Sequence, residues 1–425
     1  MTNGKNAAVP MPLSPSGAEG GTSFTAARPL RREGRRKQGP PRLLSAVGPM
    51  LLLLTSMAPV AIPAAAAMPV RSSLPVAAAP VAAAPSACAQ SGTTGSSATS
   101  AYAVTATPND SIDDTANIQG RINAAGIAGG GVVKLSTGTY IINGKLQMQN
   151  NVTLEGQGPG TILKAGPSFT NNTGPAGGYP LVTTAGADNT TLSHFTADHS
   201  GDTLNGNVVG RLNEYVIDVR ESRNSLVQDV HTKNPFTYSI AFVGGSGWCV
   251  RDSSTQSATN GKYVELDGIH AMNTSDGDIV GNIVDQRKGT DGDDGIAVHT
   301  FGDEDVHDIR IANNNVRGGR HGAGIDLAGG SGVIYNINLT GNTVWGSPRG
   351  LHDAYYDGTE HIHHIQIVGN TFMNNDIKTT GGAVDFERPV TYVTMTDNTA
   401  CNSGDYRLPS GTGNINARNT YTALC

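Results

Sequence analysis

The sequence predicts an all-β parallel β-helix, a solenoid with one short capping helix near its N-terminal end. A glycine followed by isoleucine or leucine recurs at intervals of 27, 29 and 26 residues, at Gly268, Gly295, Gly324 and Gly350. An asparagine that closes a β-type run recurs at intervals of 32, 28, 28 and 28 residues, at Asn282, Asn314, Asn342, Asn370 and Asn398. Helical periodicity is absent after residue 126. Periods of roughly 20–50 residues are typical of solenoids, in which each repeat packs on its neighbours.

The composition excludes two broad classes of protein. The chain has 425 residues, of which 55 are glycines and 15% are charged. Its net charge is −6. A basic nucleic-acid binder and a highly charged disordered chain do not have these values. We therefore expect no nucleic-acid partner. The oligomeric state is not predicted.

The first 67 residues have the pattern of an extension followed by an export signal. Basic residues between 31 and 42 precede an apolar stretch over 43–62 and an alanine run over 64–67. This order is typical of secretory signal peptides, and the prolines within the stretch favour a cleaved signal over a membrane anchor. The protein is therefore predicted to be secreted, extracellular or periplasmic, with no stable membrane span after cleavage.

Residues 68–108 are rich in Ala, Pro, Ser and Thr without periodicity, which predicts a mobile linker before a β-helix domain over 109–425. The chain has four cysteines, Cys88, Cys249, Cys401 and Cys425, and none forms a CxxC pair. Cys401 and Cys425 can clip the C-terminus of an exported protein. Separate thiols are the alternative.

The first elements of the domain follow in a recognisable order. Ser111 or Asp113 can cap a helix that places Ile118, Ile122 and Ala125 on one face. The glycines at 129–131 end it, and β-type runs follow at 132–135, 140–142 and 152–154. This order resembles the N-terminal cap of right-handed parallel β-helices in the pectate-lyase-like superfamily, which includes polygalacturonases. The resemblance implies the fold but no particular reaction, because hydrolases, lyases, epimerases and phage tailspikes share it.

The repeated asparagines predict a ladder in the core. Equivalent residues of successive coils lie about 4.8 Å apart, so each amide can bind the next and satisfy buried backbone groups. The apolar residues that alternate beside them are predicted core, namely Ile309, Ile311, Ile337, Leu339, Ile365 and Ile367. We expect nine or ten coils between about 130 and 400, and a C-terminal segment from 404 that covers the open end.

Polar residues just before the repeated glycines predict a catalytic column. They are Asp267, then Asp293 and Asp294, then His321, then Arg349. On successive coils these side chains would lie within about 15 Å of one another. Crowded carboxylates suit glycoside hydrolysis, which needs one protonated carboxyl and one ionised one. His321 can hold the protonation state or bind a hydroxyl, and Arg349 can bind a carboxylate or hydroxyl of a sugar.

Other polar residues of the repeat are predicted to bind substrate, namely His270, His299, His352, Lys288 and Tyr355. Each feature also has a non-catalytic explanation. Turn aspartates cap their own backbone, and single histidines on strands pack in the core or lie on the surface.

Three motifs resemble those of the polygalacturonase family of glycoside hydrolases. LDGIH at 266–270, GDDGIAV at 292–298 and RHGAGI at 320–325 are similar to its Asn-Thr-Asp-Gly, Gly-Asp-Asp-Cys and Gly-His-Gly motifs. The resemblance implies that Asp293 is the general acid, that Asp267 and Asp294 activate water, and that the anomeric centre inverts. The family's Arg-Ile-Lys motif is missing, since His352 and Ala354 stand at its cation positions. That departure implies weaker recognition of galacturonate, and a different, neutral polysaccharide fits it.

Two other functions remain open on the sequence. A polysaccharide lyase or C5-epimerase acts by abstracting the C5 proton of a uronate, and it needs a base beside a cation or Ca²⁺. Candidate bases and cations are Arg287, Lys288, His321, Arg349, His352, Tyr355 and Tyr356, and candidate Ca²⁺ ligands are Asp291, Asp293, Asp294, Asp303, Glu304 and Asp305. A non-catalytic glycan-binding β-helix is the third reading. For the hydrolase we expect no cofactor.

Overall fold

The computed structural model describes residues 87–88, 100–169, 179–204, 215–257, 266–287, 292–355 and 362–425. All of them belong to the unit Ala79–Cys425. The predicted export signal lies outside the described residues, as do Lys288 and Asp291. Among the described helices, none has both the length and the apolar character needed to cross a membrane.

Between residues 100 and 425, the described regular structure consists of the helix α1 (Thr115–Ile127) and short strands that pair in parallel. Two long ladders share strands β8 (Thr191–Asp198) and β10 (Leu226–Lys233). The first ladder also contains β1 (Ala101–Ala103), β2 (Gly131–Lys134), β5 (Val152–Glu155), β12 (Ser246–Arg251), β15 (Ser275–Val280), β18 (Val306–Ala312), β21 (Ile334–Thr340), β24 (Ile362–Val368), β27 (Thr394–Thr396) and β30 (Ile415–Ala417). The second contains β3 (Gly138–Ile142), β6 (Thr161–Ala165), β13 (Ser254–Gln256), β16 (Ile283–Asp285), β19 (Asn315–Arg317), β22 (Thr343–Trp345), β25 (Thr371–Met373), β28 (Thr399–Cys401) and β31 (Thr420–Thr422).

A separate ten-stranded sheet, here called the third sheet, forms the remaining face of the coils. Its strands are β4 (Leu146–Gln147), β7 (Val182–Thr183), β9 (Ile217–Arg220), β11 (Ile240–Val243), β14 (Ile269–Met272), β17 (Ile296–His299), β20 (Ile325–Gly329), β23 (Leu351–Tyr355), β26 (Thr380–Asp385) and β29 (Asp405–Arg407). Each coil therefore adds one strand to this sheet. The arrangement confirms the predicted parallel β-helix.

The N-terminal helix forms as predicted. Asp113 Oδ1 accepts the backbone N–H of Thr115 at 3.0 Å, so it satisfies one of the free donors of the first turn. Ile118, Ile122 and Ala125 are fully buried against the first coils. The helix ends at the three glycines, which have φ values of 87°, 137° and 157° at 129–131.

The asparagine ladder forms in the core between the first and second ladders. Asn314 is typical: its Nδ2 donates to Asn342 Oδ1 at 2.9 Å and to the Ile279 carbonyl at 2.9 Å, and its backbone N–H donates to Asn342 Oδ1 at 3.0 Å. The same contacts run from Asn282 to Asn398 and end on Asn419, which the sequence analysis missed. The six predicted core residues beside the ladder are at most 1% exposed.

Two boundary predictions are wrong. β1 pairs with β2 in the register Ala101 to Val132, so the fold begins within the predicted linker and not at residue 109. Residues 405–422 form β29, β30 and β31, which extend the helix by another coil instead of covering its end.

Both cysteine pairs are disulfides, Cys88–Cys249 and Cys401–Cys425. The C-terminal clip was predicted. The first pair joins residues 161 apart in sequence and ties the segment before β1 to β12.

Removing one rung of the asparagine ladder should destabilise the protein strongly. Asn342→Ala leaves the Asn314 amide, the Ile311 carbonyl and Asn370 Oδ1 without their partner in the core. We expect the free energy of unfolding to fall by about 3 kcal/mol or more. Denaturant unfolding measures it. Asn338→Ala is the matched control, because the Asn338 side-chain oxygen has no hydrogen-bond partner among the described residues. Equal losses in both variants would contradict a stabilising ladder.

Candidate functional site

The Gly-Ile repeat stacks residues of the third sheet in exact register. Ile269, Ile296, Ile325 and Leu351 are paired in turn, and all are buried. These four residues point into the core and are called the inward residues. The glycine before each of the first three donates its N–H to a backbone carbonyl of the next coil: Gly268 to that of Asp294, Gly295 to that of Ala323 and Gly324 to that of Arg349. Asp267, Asp294, Ala323 and Arg349 therefore lie in one column. His321, expected in this column, stands two residues before it.

Three carboxylates of neighbouring coils converge at this column. Asp267, Asp293 and Asp294 each offer an oxygen, and these oxygens lie within 4.8 Å of one another. Asp267 is 4% exposed and Asp294 9%, whereas Asp293 is half-buried. Burial, together with the negative charges of Asp326, Asp293 and Asp267, raises the pKa of Asp294 well above its ordinary value. The aspartate cluster, as we call these three residues, therefore retains a proton at pH values where a lone aspartate is ionised.

The loop that carries His321 packs on the aspartate cluster. The His321 N–H donates to the Gly292 carbonyl at 3.2 Å, and the His321 side chain is exposed. At Gly322 an added Cβ would lie 2.3 Å from Asp294 Oδ1, so only glycine allows this approach. The next N–H, of Ala323, donates to Asp294 Oδ1 at 2.6 Å.

Asp267 is held by two donors. His270 Nδ1 lies 2.6 Å from Asp267 Oδ2, and the Asp294 N–H donates to Oδ1 at 3.0 Å. His270 is 2% exposed, so the expectation that it contacts substrate is wrong: it lies beneath the surface. His299 is half-buried beside it, and burial lowers the pKa of His299 to about 3.

Further carboxylates, absent from the predicted site, continue along the third sheet. Residues one position after the inward residue pair in the order His270, Ala297, Asp326, His352, Asp385 and Arg407. Asp326, Asp353 and Asp385 are 2–3% exposed. Their acidic letters in IDL, LHD and VDF were available in the sequence. The pattern of polar residues before the repeated glycines does not identify these aspartates, because they lie inside strands.

The last coils of this face form a network of ion pairs. His352 Nδ1 lies 3.0 Å from Asp326 Oδ1; although burial opposes its charged form, Asp326 raises the pKa of His352. Arg349 Nε donates to Asp385 Oδ2 at 2.8 Å, and its Nη2 lies 3.4 Å from Glu387 Oε1. Arg407 pairs with the same two carboxylates at 2.7 and 3.5 Å. The guanidinium charge expected to bind substrate is therefore already compensated.

Two groups of side chains have the spacing of a metal site. One is the aspartate cluster, and the other is His352, Asp385 and Glu387, whose ligand atoms also lie within 4.8 Å of one another. The two arginines beside the second group compensate its carboxylates and oppose a cation there. Of the other predicted Ca²⁺ ligands, Asp303, Glu304 and Asp305 are exposed after β17. For Tyr355 the structure describes the strand position only.

No protein-family model matches the chain. A stretch of 116 residues is 36% identical to the mannuronan C5-epimerase AlgE3 of Azotobacter vinelandii, covering 24% of this chain and 6% of that protein. The chain thus matches only a small part of this curated relative's length.

Several solved structures have a similar fold. A polygalacturonase of Erwinia carotovora has a TM-score of 0.56 at 16% identity, over 75% of this chain and 97% of the enzyme. An exopolygalacturonase of Thermotoga maritima has a TM-score of 0.58 at 14% identity, over 76% and 92%. The surface adhesin PfbA of Streptococcus pneumoniae has a TM-score of 0.55 at 16% identity, over 74% and 81%. These likenesses confirm the right-handed parallel β-helix fold.

The buried Asp353 should make stability depend on pH. Burial raises the pKa of Asp353 from 3.8 to about 6. The backbone N–H groups of Glu387 and Arg388 donate to its carboxylate and lower the pKa, but burial has the larger effect. Since the folded-state pKa is the higher one, the folded state binds the proton more tightly. The associated stability is present below about pH 4 and lost as the pH rises through about 6.

Asp353→Asn removes this titration. Between about pH 4 and pH 7 the wild type should lose on the order of 3 kcal/mol more unfolding free energy than the variant. Denaturant titrations at both pH values measure the difference, and the other buried carboxylates, present in both proteins, cancel. Parallel pH dependences would contradict the burial argument.

Proposed function

We propose that this chain is a secreted glycoside hydrolase that cleaves a polysaccharide with the aspartate cluster. The convergence of Asp267, Asp293 and Asp294 within 4.8 Å on adjacent coils carries the proposal. Glycoside hydrolysis needs one carboxyl to protonate the leaving oxygen and another to activate water or attack. The aspartate cluster offers both states at one pH, because burial and the neighbouring carboxylates raise the pKa of Asp294 well above its ordinary value.

The three aspartates divide the work according to their exposure. Asp293, half-buried, is the member able to reach a leaving oxygen, in agreement with the role that the polygalacturonase motif implies. Asp267 accepts two hydrogen bonds, which fix the orientation of its carboxylate and suit it to activate water. Asp294 shares the proton of the cluster with Asp293. The family resemblance implies inversion at the anomeric carbon.

The substrate is proposed to be a neutral polysaccharide lying along the third sheet. From β9 to β29 this face spans seven strand spacings, about 34 Å, which suits a chain rather than a small molecule. Beside the aspartate cluster, Arg349, Arg407 and His352 are paired with Asp326, Asp385 and Glu387. A uronate would find these cations already compensated, and the adjacent aspartate cluster would repel its carboxylate.

Export is supported by the two disulfides, because such bonds persist in oxidising compartments.

A panel of neutral and uronate polysaccharides tests the reaction. New reducing ends without unsaturated sugars support the hydrolase, and a preference for neutral chains supports the substrate. Unsaturated products, followed by ultraviolet absorbance, would overturn it in favour of a lyase. Binding to an insoluble glycan without cleavage would favour an adhesin-like role, as the name of the pneumococcal neighbour suggests.

A C5-epimerase is the second candidate, favoured by the 36% identity with AlgE3. It requires an unprotonated base, whereas Asp326 keeps His352 in its charged form to higher pH. Proton exchange at C5 without cleavage, measured by NMR on a uronate polymer, would establish this candidate instead.

Asp293→Asn should abolish hydrolysis, lowering kcat/KM at least about 100-fold, because an amide cannot donate the proton. The fold should persist, as shown by an unchanged melting temperature. Asp252→Asn is the matched control: Asp252 is exposed in the turn between β12 and β13, with φ of 51°, which asparagine tolerates. Near-full activity of Asp293→Asn would refute its role as the acid.

The pH profile of hydrolysis should be bell-shaped. Activity falls as the pH rises through the raised pKa of Asp294, because the cluster loses the proton that the acid donates, and it falls at low pH as the base that activates water becomes protonated. Asp326 is a neighbouring charge that raises the pKa of Asp294. Asp326→Asn should therefore move the alkaline limb to lower pH, as kcat/KM measurements would show. An unmoved alkaline limb would contradict this electrostatic coupling.

A further inference from the structure

We propose that His270 is a positioning residue, a neutral imidazole that donates from Nδ1 to Asp267 and holds that carboxylate correctly aimed. The inference rests on the proposed hydrolase function, which it deepens. His270 closely follows the residues that resemble the Asn-Thr-Asp-Gly motif of polygalacturonases. The resemblance assigns roles to the aspartates and to the Gly-His-Gly histidine, and none to His270.

The contact fixes Asp267 from both sides. Its Oδ2 lies 2.6 Å from His270 Nδ1, and its Oδ1 receives the Asp294 N–H at 3.0 Å. The first donor is a side chain on β14, and the second is a backbone group just before β17. Asp267 itself is 4% exposed. A carboxylate with one donor on each oxygen loses its rotational freedom, and hydrogen bonds to the charged form favour that form.

The imidazole itself is locked by packing. Its ring stacks on Tyr238 with centroids 4.1 Å apart and planes 10° apart, and Tyr238 stacks on Tyr215 at 5.1 Å and 15°. His299 meets it edge-on from the following coil at 5.4 Å. With 2% exposure and aromatic neighbours on two coils, His270 has one position available.

The surroundings select one tautomer. His270 Nε2 is buried and has no hydrogen-bond partner among the described residues. A proton there would be an unsatisfied buried donor, whereas a bare nitrogen is an acceptor that costs less to bury. The single proton therefore lies on Nδ1, where Asp267 accepts it. This arrangement excludes direct proton exchange between His270 and the substrate.

The titratable and charged groups around the pair come from four strands and their flanking turns. They are Tyr215 and Arg220 at β9, Tyr238 before β11, Asp293, Asp294 and His299 at β17, and Asp326 on β20. Within this set His299 is neutral at physiological pH, so it supplies no positive charge. The other aspartates repel the negative charge of the Asp267 carboxylate. A donor on Asp267 therefore offsets part of this repulsion.

Two substitutions separate the hydrogen bond from the packing. His270→Asn keeps an N–H near the Nδ1 position but removes the ring, and His270→Phe keeps a ring but removes the donor. We expect kcat to stay near the wild-type value in His270→Asn and to fall about tenfold in His270→Phe, with KM little changed in both variants. The reverse order would show that the ring acts through packing alone and would overturn the inference.

Two further measurements cover variants that fold poorly and an inactive enzyme. His270→Ala lacks both features and replaces His270→Phe if the latter is not folded by circular dichroism. Nitrogen-15 NMR of the histidine side chains reads the tautomer without any substrate. A neutral Nδ1–H form that persists between about pH 5 and 8, and whose Nδ1 signal shifts in Asp267→Asn, supports the inference.

An Nε2–H tautomer or an imidazolium would overturn the inference. If the wild type cleaves no polysaccharide while the Nδ1–H form is observed, the proposed hydrolase fails and the donation to Asp267 still stands.

Discussion

The structure depends on the register imposed by hydrogen bonds between successive coils. Because each strand pairs with its equivalent one repeat later, a residue at position 267 becomes the neighbour of one at 294, although 27 residues separate them. The asparagine ladder maintains this register in the core, since each amide binds the next amide and the backbone of the coil before it. Side chains of the third sheet inherit the same spacing. The aspartate cluster is thus a product of register, in which short-range repetition places distant residues together.

When equivalent residues stack on successive coils, side chains of the same charge repel one another. In the third sheet the sequence avoids this repulsion except at one place. Along the outward column, acidic residues alternate with small or basic ones: Asp326 pairs with His352, and Asp385 with Arg407. Buried Asp353 receives two backbone N–H groups. Only in the column of Asp267 and Asp294 do two carboxylates of this face follow each other directly among the described residues. There the repulsion remains, and together with burial it raises the pKa of Asp294.

Much of the fold was predictable because the repeat is local information. Periodic glycines and asparagines, and the alternation beside them, identify inward positions such as Ile311 and Leu339 without any knowledge of contacts. The aspartates before the glycines were found by the same logic. Asp326, Asp353 and Asp385 were missed because burial on a strand conceals acidic residues among apolar ones, and only the register shows that they adjoin the column. His270 was assigned to the surface because a sequence does not reveal depth. The Cys88–Cys249 link was beyond prediction, since 161 residues separate its ends.

The asparagine spacing has an evolutionary consequence. Three of the four repeats are 28 residues long, but the interval from Asn282 to Asn314 is 32, and this longer coil carries Asp293 and Asp294. Rungs on either side of it stay paired, so extra residues are accommodated outside the core without shifting later coils. Length can thus change coil by coil at the loops bordering the third sheet while the scaffold keeps its dimensions. A lineage with this architecture can acquire new substrates through insertions of a few residues, and can lengthen its binding face by duplicating whole coils.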